Sequence, residues 1–141
     1  MISTIAVIAA FLWIGFVCAI SFMEAWLKFR APGVTLSLGL GIGRLVFSAL
    51  NKIELIMALT IIASLVVAKN TLFISQNLLF FIPLLLLLTQ TLWLLPTLDR
   101  RAINSIKGAA PGKSTLHFYY VGMEIAKVIC LFIFGINLFN V

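Results

Sequence analysis

Four stretches of the chain are dominated by apolar residues, and the short segments between them carry most of its charge. A helix crossing a hydrocarbon core about 30 Å thick needs about 20 mostly apolar residues. The runs predict spanning helices over about 2–27, 44–67, 76–98 and 115–139. The expected fold is therefore all-α: a single four-helix transmembrane bundle over residues 1–141, an integral membrane protein with multiple passes. The first run has no Lys or Arg before it, exceeds the apolar core of a signal peptide and lacks a small residue at a lipoprotein cleavage position before Cys18. It is expected to stay in place as the first helix.

The connections differ in character. Pro32 to Gly43 is uncharged and rich in glycine; Pro32-Gly33 should end the first helix, and Gly39, Gly41 and Gly43 argue against a strong continuous helix there. The segment is expected to be an apolar lead-in to the second helix, with an interfacial or re-entrant segment as the alternative. Ala68 to Ser75 is short, whereas Asp99 to Ser114 is longer and basic and contains Gly108, Pro111 and Gly112. Asp99-Arg100-Arg101 reads as a solvated stop after Pro96, and Ser114 or Thr115 can cap the fourth helix. Pro83 predicts a kink within the third helix.

Composition agrees with a lipid solvent, because 63% of the residues are hydrophobic and 10% are charged. The formal net charge of +6 does not indicate nucleic acid, since the basic residues form no stripe interleaved with aromatics. They indicate topology instead. Lys28, Arg30, Arg44, Arg100, Arg101, Lys107 and Lys113 fall at the first and third connections, Lys69 alone falls at the second, and neither terminus carries any. By the excess of basic residues on the cytoplasmic side, both termini are expected outside the cytoplasmic (inner) membrane. Cys18 and Cys130 sit in separate apolar runs, which offers no CxxC pair or zinc framework and favours a packing role for each.

An ionisable group at the centre of a spanning helix costs about 2.5 to 3.5 kcal/mol on insertion scales, so it normally faces protein or water. Here such groups are organised. His117, Tyr120, Glu124 and Lys127 follow one another at spacings of three, four and three, which puts them on one stripe of the fourth helix. Arg44, Asn51 and Glu54 share a face of the second helix, while Lys52 points elsewhere. At about 1.5 Å per residue, Glu54, Glu124 and Gln90 of the third helix reach similar depths, up to about 15 Å from the cytoplasmic ends. These eight residues are the candidate ligand-binding or proton-relay site. Two accounts of them stand side by side: a structural network tying the bundle together, and a functional site open to the cytoplasm. Glu24, four residues before Lys28, fits an ordinary helical ion pair, and Trp26 and Trp93 fit interfacial anchors.

A single histidine cannot supply a bis-histidine haem, and no phosphate loop, paired metal motif or nucleophile elbow is present. No metal site is predicted, and no catalytic residue or cofactor is assigned. The stretch from Gly43-Arg44 through Asn51 and Glu54, with Leu95-Pro96-Thr97-Leu98-Asp99-Arg100-Arg101 and His117 to Lys127, resembles uncharacterised small four-helix bacterial membrane proteins distantly akin to copper-resistance D membrane domains. That resemblance implies a fold more than an activity. Arg44, Asn51 and Glu54 also resemble the Arg-x6-Asn-x2-Glu spacing of the membrane-associated eicosanoid and glutathione metabolism family. This second resemblance implies a homotrimer that binds glutathione through those three residues; the arginine expected near Ser48 is absent.

The leading expectation is binding or transport of a small solute or ion, with proton coupling through Glu54 and Glu124 and with His117 as a relay. A membrane-embedded enzyme acting on a lipophilic substrate, glutathione-dependent or otherwise, is one alternative. An accessory subunit of a larger complex is another. The expected partners are the lipid bilayer and either further copies of the chain or a larger membrane complex.

Overall fold

The computed structural model describes residues 2–68, 78–109 and 115–139, apart from the side chains of Ile2 and Ser3. The described residues form helices joined by short turns and contain no strand. Four helices, α1 (Thr4–Arg30), α2 (Leu36–Val67), α3 (Phe81–Ile106) and α4 (Leu116–Phe139), are each long and apolar enough to cross a membrane. Lys69, the expected start of the third helix at Gln76, the loop residues Pro111, Gly112, Lys113 and Ser114, and the last two residues lie outside the described residues.

Two connections are shorter than the sequence implies. Only Ala31 to Thr35 separates α1 from α2, because helix α2 begins at Leu36 rather than near Arg44. The N–H of Val34 donates to the carbonyl of Ala31 at 3.2 Å, and Gly33 takes the φ of +80° that this turn demands. Thr35 Oγ1 then accepts the N–H of Leu38 at 3.3 Å and caps the new helix. The glycines after it are tolerated inside a helix because α1 packs directly on them. A Cβ at Gly39 would lie 2.1 Å from the Phe29 ring, and one at Gly43 would lie 3.1 Å from Lys28 Nζ. Tertiary contact here outweighs the low helix propensity of glycine.

Helix α3 likewise runs past Leu98 to Ile106, so Asp99-Arg100-Arg101 is helical and not a loop. Its end is a Schellman motif: Ala109 N–H donates to Asn104 O at 3.0 Å and Gly108 N–H to Ser105 O at 3.2 Å, with Gly108 at φ +90°. Pro83 is third in the helical segment Phe81–Thr89. A first-turn residue has no helical acceptor for its N–H, so the expected loss of a helical bond does not arise there.

Both α1 and α3 contain a π-helical stretch, Cys18–Glu24 and Gln90–Leu94 respectively. Such wide turns shift side chains away from the faces an ideal α-helix would give them. Ser21 in the first stretch and Gln90 in the second are turned inward by this means.

The half of the bundle remote from the first and third connections holds an apolar core. Ala6, Ala9 and Ala10 give α1 a small face against which Ile61 and Leu65 of α2 and Leu131, Phe134 and Leu138 of α4 are buried. Phe80 stacks at 5.3 Å from the Phe134 ring and 6.4 Å from Trp13. Gly135 lets α1 approach α4, because a Cβ there would stand 3.0 Å from Phe11. Leu59, Leu85, Leu92 and Phe118 project outward, an apolar exterior that suits lipid better than water.

Candidate functional site

At the inner edge of the apolar core, four polar side chains from three helices meet around one ammonium. Lys127 Nζ of α4 lies 2.5 Å from Glu54 Oε1 of α2, 2.5 Å from Gln90 Oε1 of α3 and 3.0 Å from Glu124 Oε1 one turn back on its own helix. These contacts use all three ammonium hydrogens. Gln90 Nε2 donates to Glu124 Oε1 at 2.6 Å, and the indole Nε1 of Trp13 on α1 donates to Glu54 Oε1 at 2.8 Å. All four helices thus contribute to the cluster. Lys127 and Glu124 are 0% exposed, Gln90 1% and Glu54 2%.

The arrangement follows from local sequence. Glu124 and Lys127 are three apart, so they rise on the same α4 face as Leu131 and Phe134. Gln90 begins the π-helical stretch of α3, which also brings Thr91 toward α2. Within the cluster one lysine faces two carboxylates, so it is formally at −1 when all three ionise and neutral with one added proton. Glu124 Oε2 and Ser21 Oγ are buried oxygens without a hydrogen-bond partner among the described residues.

Above this cluster, toward the connections rich in Lys and Arg, a cavity of about 550 Å³ opens between the helices. Asn51, Thr91 and Tyr120 line its deep end, where Asn51 Nδ2 donates to Thr91 Oγ1 at 2.8 Å. Phe29, Phe47, Leu95 and Pro96 give apolar walls. The Tyr120 ring packs edge-on to Phe47 with centroids 5.1 Å apart. Lys28 Nζ, bonded to Glu24 at 3.2 Å, stands 5.5 Å and 5.4 Å from the ring centroids of Phe29 and Phe47. Arg44 joins α2 to α3 by a two-point contact with Asp99. The cavity exists at this level because Leu95–Ile106 of α3 packs chiefly on α2, whereas the preceding part of α3 packs on α4.

The eight residues singled out from sequence therefore divide into two connected groups. Glu54, Gln90, Glu124 and Lys127 form the buried cluster, and Arg44, Asn51, His117 and Tyr120 line the cavity. His117 is exposed at the outer part of the cavity and packs against Phe118. Arg44, Asn51 and Glu54 share one helix face but have separate partners: Asp99, Thr91, and the pair Trp13 and Lys127. Lys52 is exposed, and Trp26 and Trp93 lie on the outer surface, where Trp26 is covered by Arg30 at 4.4 Å.

Sequence reasoning did not single out Trp13, Ser21, Thr91 or Asp99 for these roles. Helical spacing could have aligned Trp13 with Ala6, Ala9 and Ala10 on a buried face, but no local signal matches its indole to Glu54. Ser21 and Thr91 depend on the π-helical stretches, which lack a sequence signature of their own. Cys18 is exposed and Cys130 half-buried, as separate thiols. No protein-family model, curated protein or solved structure matches the chain.

Proposed function

We propose that this is a multi-pass protein of the cytoplasmic membrane that binds a small solute or ion in the cavity and couples its occupancy to one proton held by the Glu54–Lys127–Glu124 cluster. The observation that carries this reading is the stacking of the two sites. A solute-sized cavity ends one turn above a buried group of two carboxylates and one cation. A single proton switches that group between a net charge of −1 and neutrality. In a medium of low dielectric constant, such a change alters the energy of charges and dipoles nearby far more than it would in water.

The same reading puts the basic end of the bundle in the cytoplasm and both termini outside. Lys28, Arg30, Arg44, Arg100, Arg101 and Lys107 gather at that end, as the rule for short basic loops requires. The cavity would then load from the cytoplasm. The apolar core beyond the cluster supports binding and stepwise exchange in preference to a standing pore.

The test is proton movement in vesicles carrying the purified protein and a trapped pH dye, challenged with a panel of amino acids, short carboxylates and monovalent cations. At least one class should drive a pH change that Glu54→Gln and Glu124→Gln abolish while the variants remain folded. Flux that is unchanged in both variants removes the carboxylates from the mechanism.

A further inference from the structure

Tyr120 is the cavity-lining side chain placed one turn before Glu124 on the same helix. It is 3% exposed, and its ring is held by Phe47. Glu124 follows it one turn later on the same buried face, and the buried Ser21 stands on the Cys18–Glu24 stretch of α1 that packs against α4, yet Ser21 Oγ and Glu124 Oε2 have no hydrogen-bond partner among the described residues. Buried polar atoms are nearly always paired, so these two orphaned oxygens form a marked exception. The other oxygen of Glu124 is already engaged by Lys127 and Gln90. Oε2 is thus the carboxylate atom left available.

From this geometry we infer that Tyr120 is the proton conduit between the cavity and the cluster, with Glu124 Oε2 as the accepting atom and Ser21 as the residue that positions the phenol. The inference rests on the proton-linked reading above. A hydrated proton in the cavity donates to Tyr120 Oη while the phenol hydrogen passes to Glu124 Oε2. The O–H bond broken in the tyrosine is replaced by the one formed, so the phenol ends neutral and one proton has moved inward. The cluster changes from −1 to neutral.

The groups around Glu124 agree with one proton being accommodated there. Lys127 and Tyr120 flank it on α4, Gln90 faces it from α3 and Glu54 from α2; α1 brings Ser21 on the stretch that packs against α4, and Trp13 through its bond to Glu54. Among these, Lys127 is the one cation. Asn51 and Thr91, the other deep polar residues of the cavity, are bonded to each other through the Asn51 amide.

Infrared spectroscopy of the intact protein in lipid vesicles tests the conduit. The wild type should show a protonated-carboxyl band that Glu124→Gln removes and that shifts on transfer to heavy water. Tyr120→Phe keeps the ring and its packing on Phe47 but lacks the hydroxyl. It should retain the band while slowing deuterium exchange by about a hundredfold, the lower range for loss of a positioned proton donor. Ser21→Ala, which leaves the phenol in place, should slow it in the same direction by a smaller factor and serves as the second variant if Tyr120→Phe folds poorly. Exchange at the wild-type rate in both variants overturns the conduit and leaves the proton-linked cluster intact. A wild type with no glutamate-dependent band overturns the proton-linked reading itself.

Discussion

At Lys127 one ammonium balances two carboxylates from different helices, so removing it leaves both acids buried without a cation. Lys127→Met should destabilise the bundle by about 3–5 kcal/mol, the usual cost of breaking a buried charge group by taking away one partner. Adding Glu54→Leu and Glu124→Leu should restore most of that loss, since well-packed apolar replacements of a whole buried network are often neutral. Denaturant unfolding in detergent micelles measures both, and a single variant as stable as the wild type would show the charges to be uncoupled. The triple variant would hold its fold and lose the proton response. Spacing along the helices already brought Glu54, Gln90 and Glu124 to similar depths and put Lys127 on the stripe of Glu124, because helical periodicity fixes faces and levels together. It could not separate the sealed cluster from the open cavity. That division depends on where α3 leaves α4, a tertiary matter to which Asn51 and Glu54, one turn apart on the same face, are equally blind.

Glycine at 39 and 43 acts on the scale of whole elements, since these positions form the slots in α2 that receive Phe29 and Lys28 from the end of α1. Gly39→Ala would drive a methyl group into the Phe29 ring and should cost about 1–3 kcal/mol, as overpacking commonly does. In a Phe29→Ala background the same change should be close to neutral. A double-mutant cycle on the unfolding free energy reads this coupling, and equal costs in both backgrounds would show that the ring yields freely. The four apolar helices were legible from run length alone. Their ends at the first and third connections were not, because the rules that read glycine and Asp-Arg-Arg as breakers weigh local preference without the neighbouring helix. Leu36 to Gly43 is helical on account of α1, and Asp99 is helical in company with Arg44. The π-helical stretches at Cys18–Glu24 and Gln90–Leu94 escaped for a related reason: one extra residue in a turn leaves hydropathy unchanged while redirecting Ser21 and Gln90.

Across the whole molecule, the proposed orientation makes one face of the cavity reachable from the cytoplasm alone. With Cys18 and Cys130 replaced by serine, Ser48→Cys at the cavity wall should react with a membrane-impermeant maleimide in inside-out vesicles and resist it in right-side-out ones. Alkaline phosphatase fused after Val141 should be active in the same cells. The opposite labelling pattern, or an inactive fusion, would invert the bundle. The alanine face of α1 and the interlocked rings of Trp13, Phe80 and Phe134 seal the far half of the molecule. A guest admitted at the basic end can therefore return the way it came, but it can reach the far side only if entire helices swing apart. Such collective swings occur on microsecond to millisecond timescales. Any passage through this bundle would run at the pace of a turnstile, with the rings of the far half as its bar.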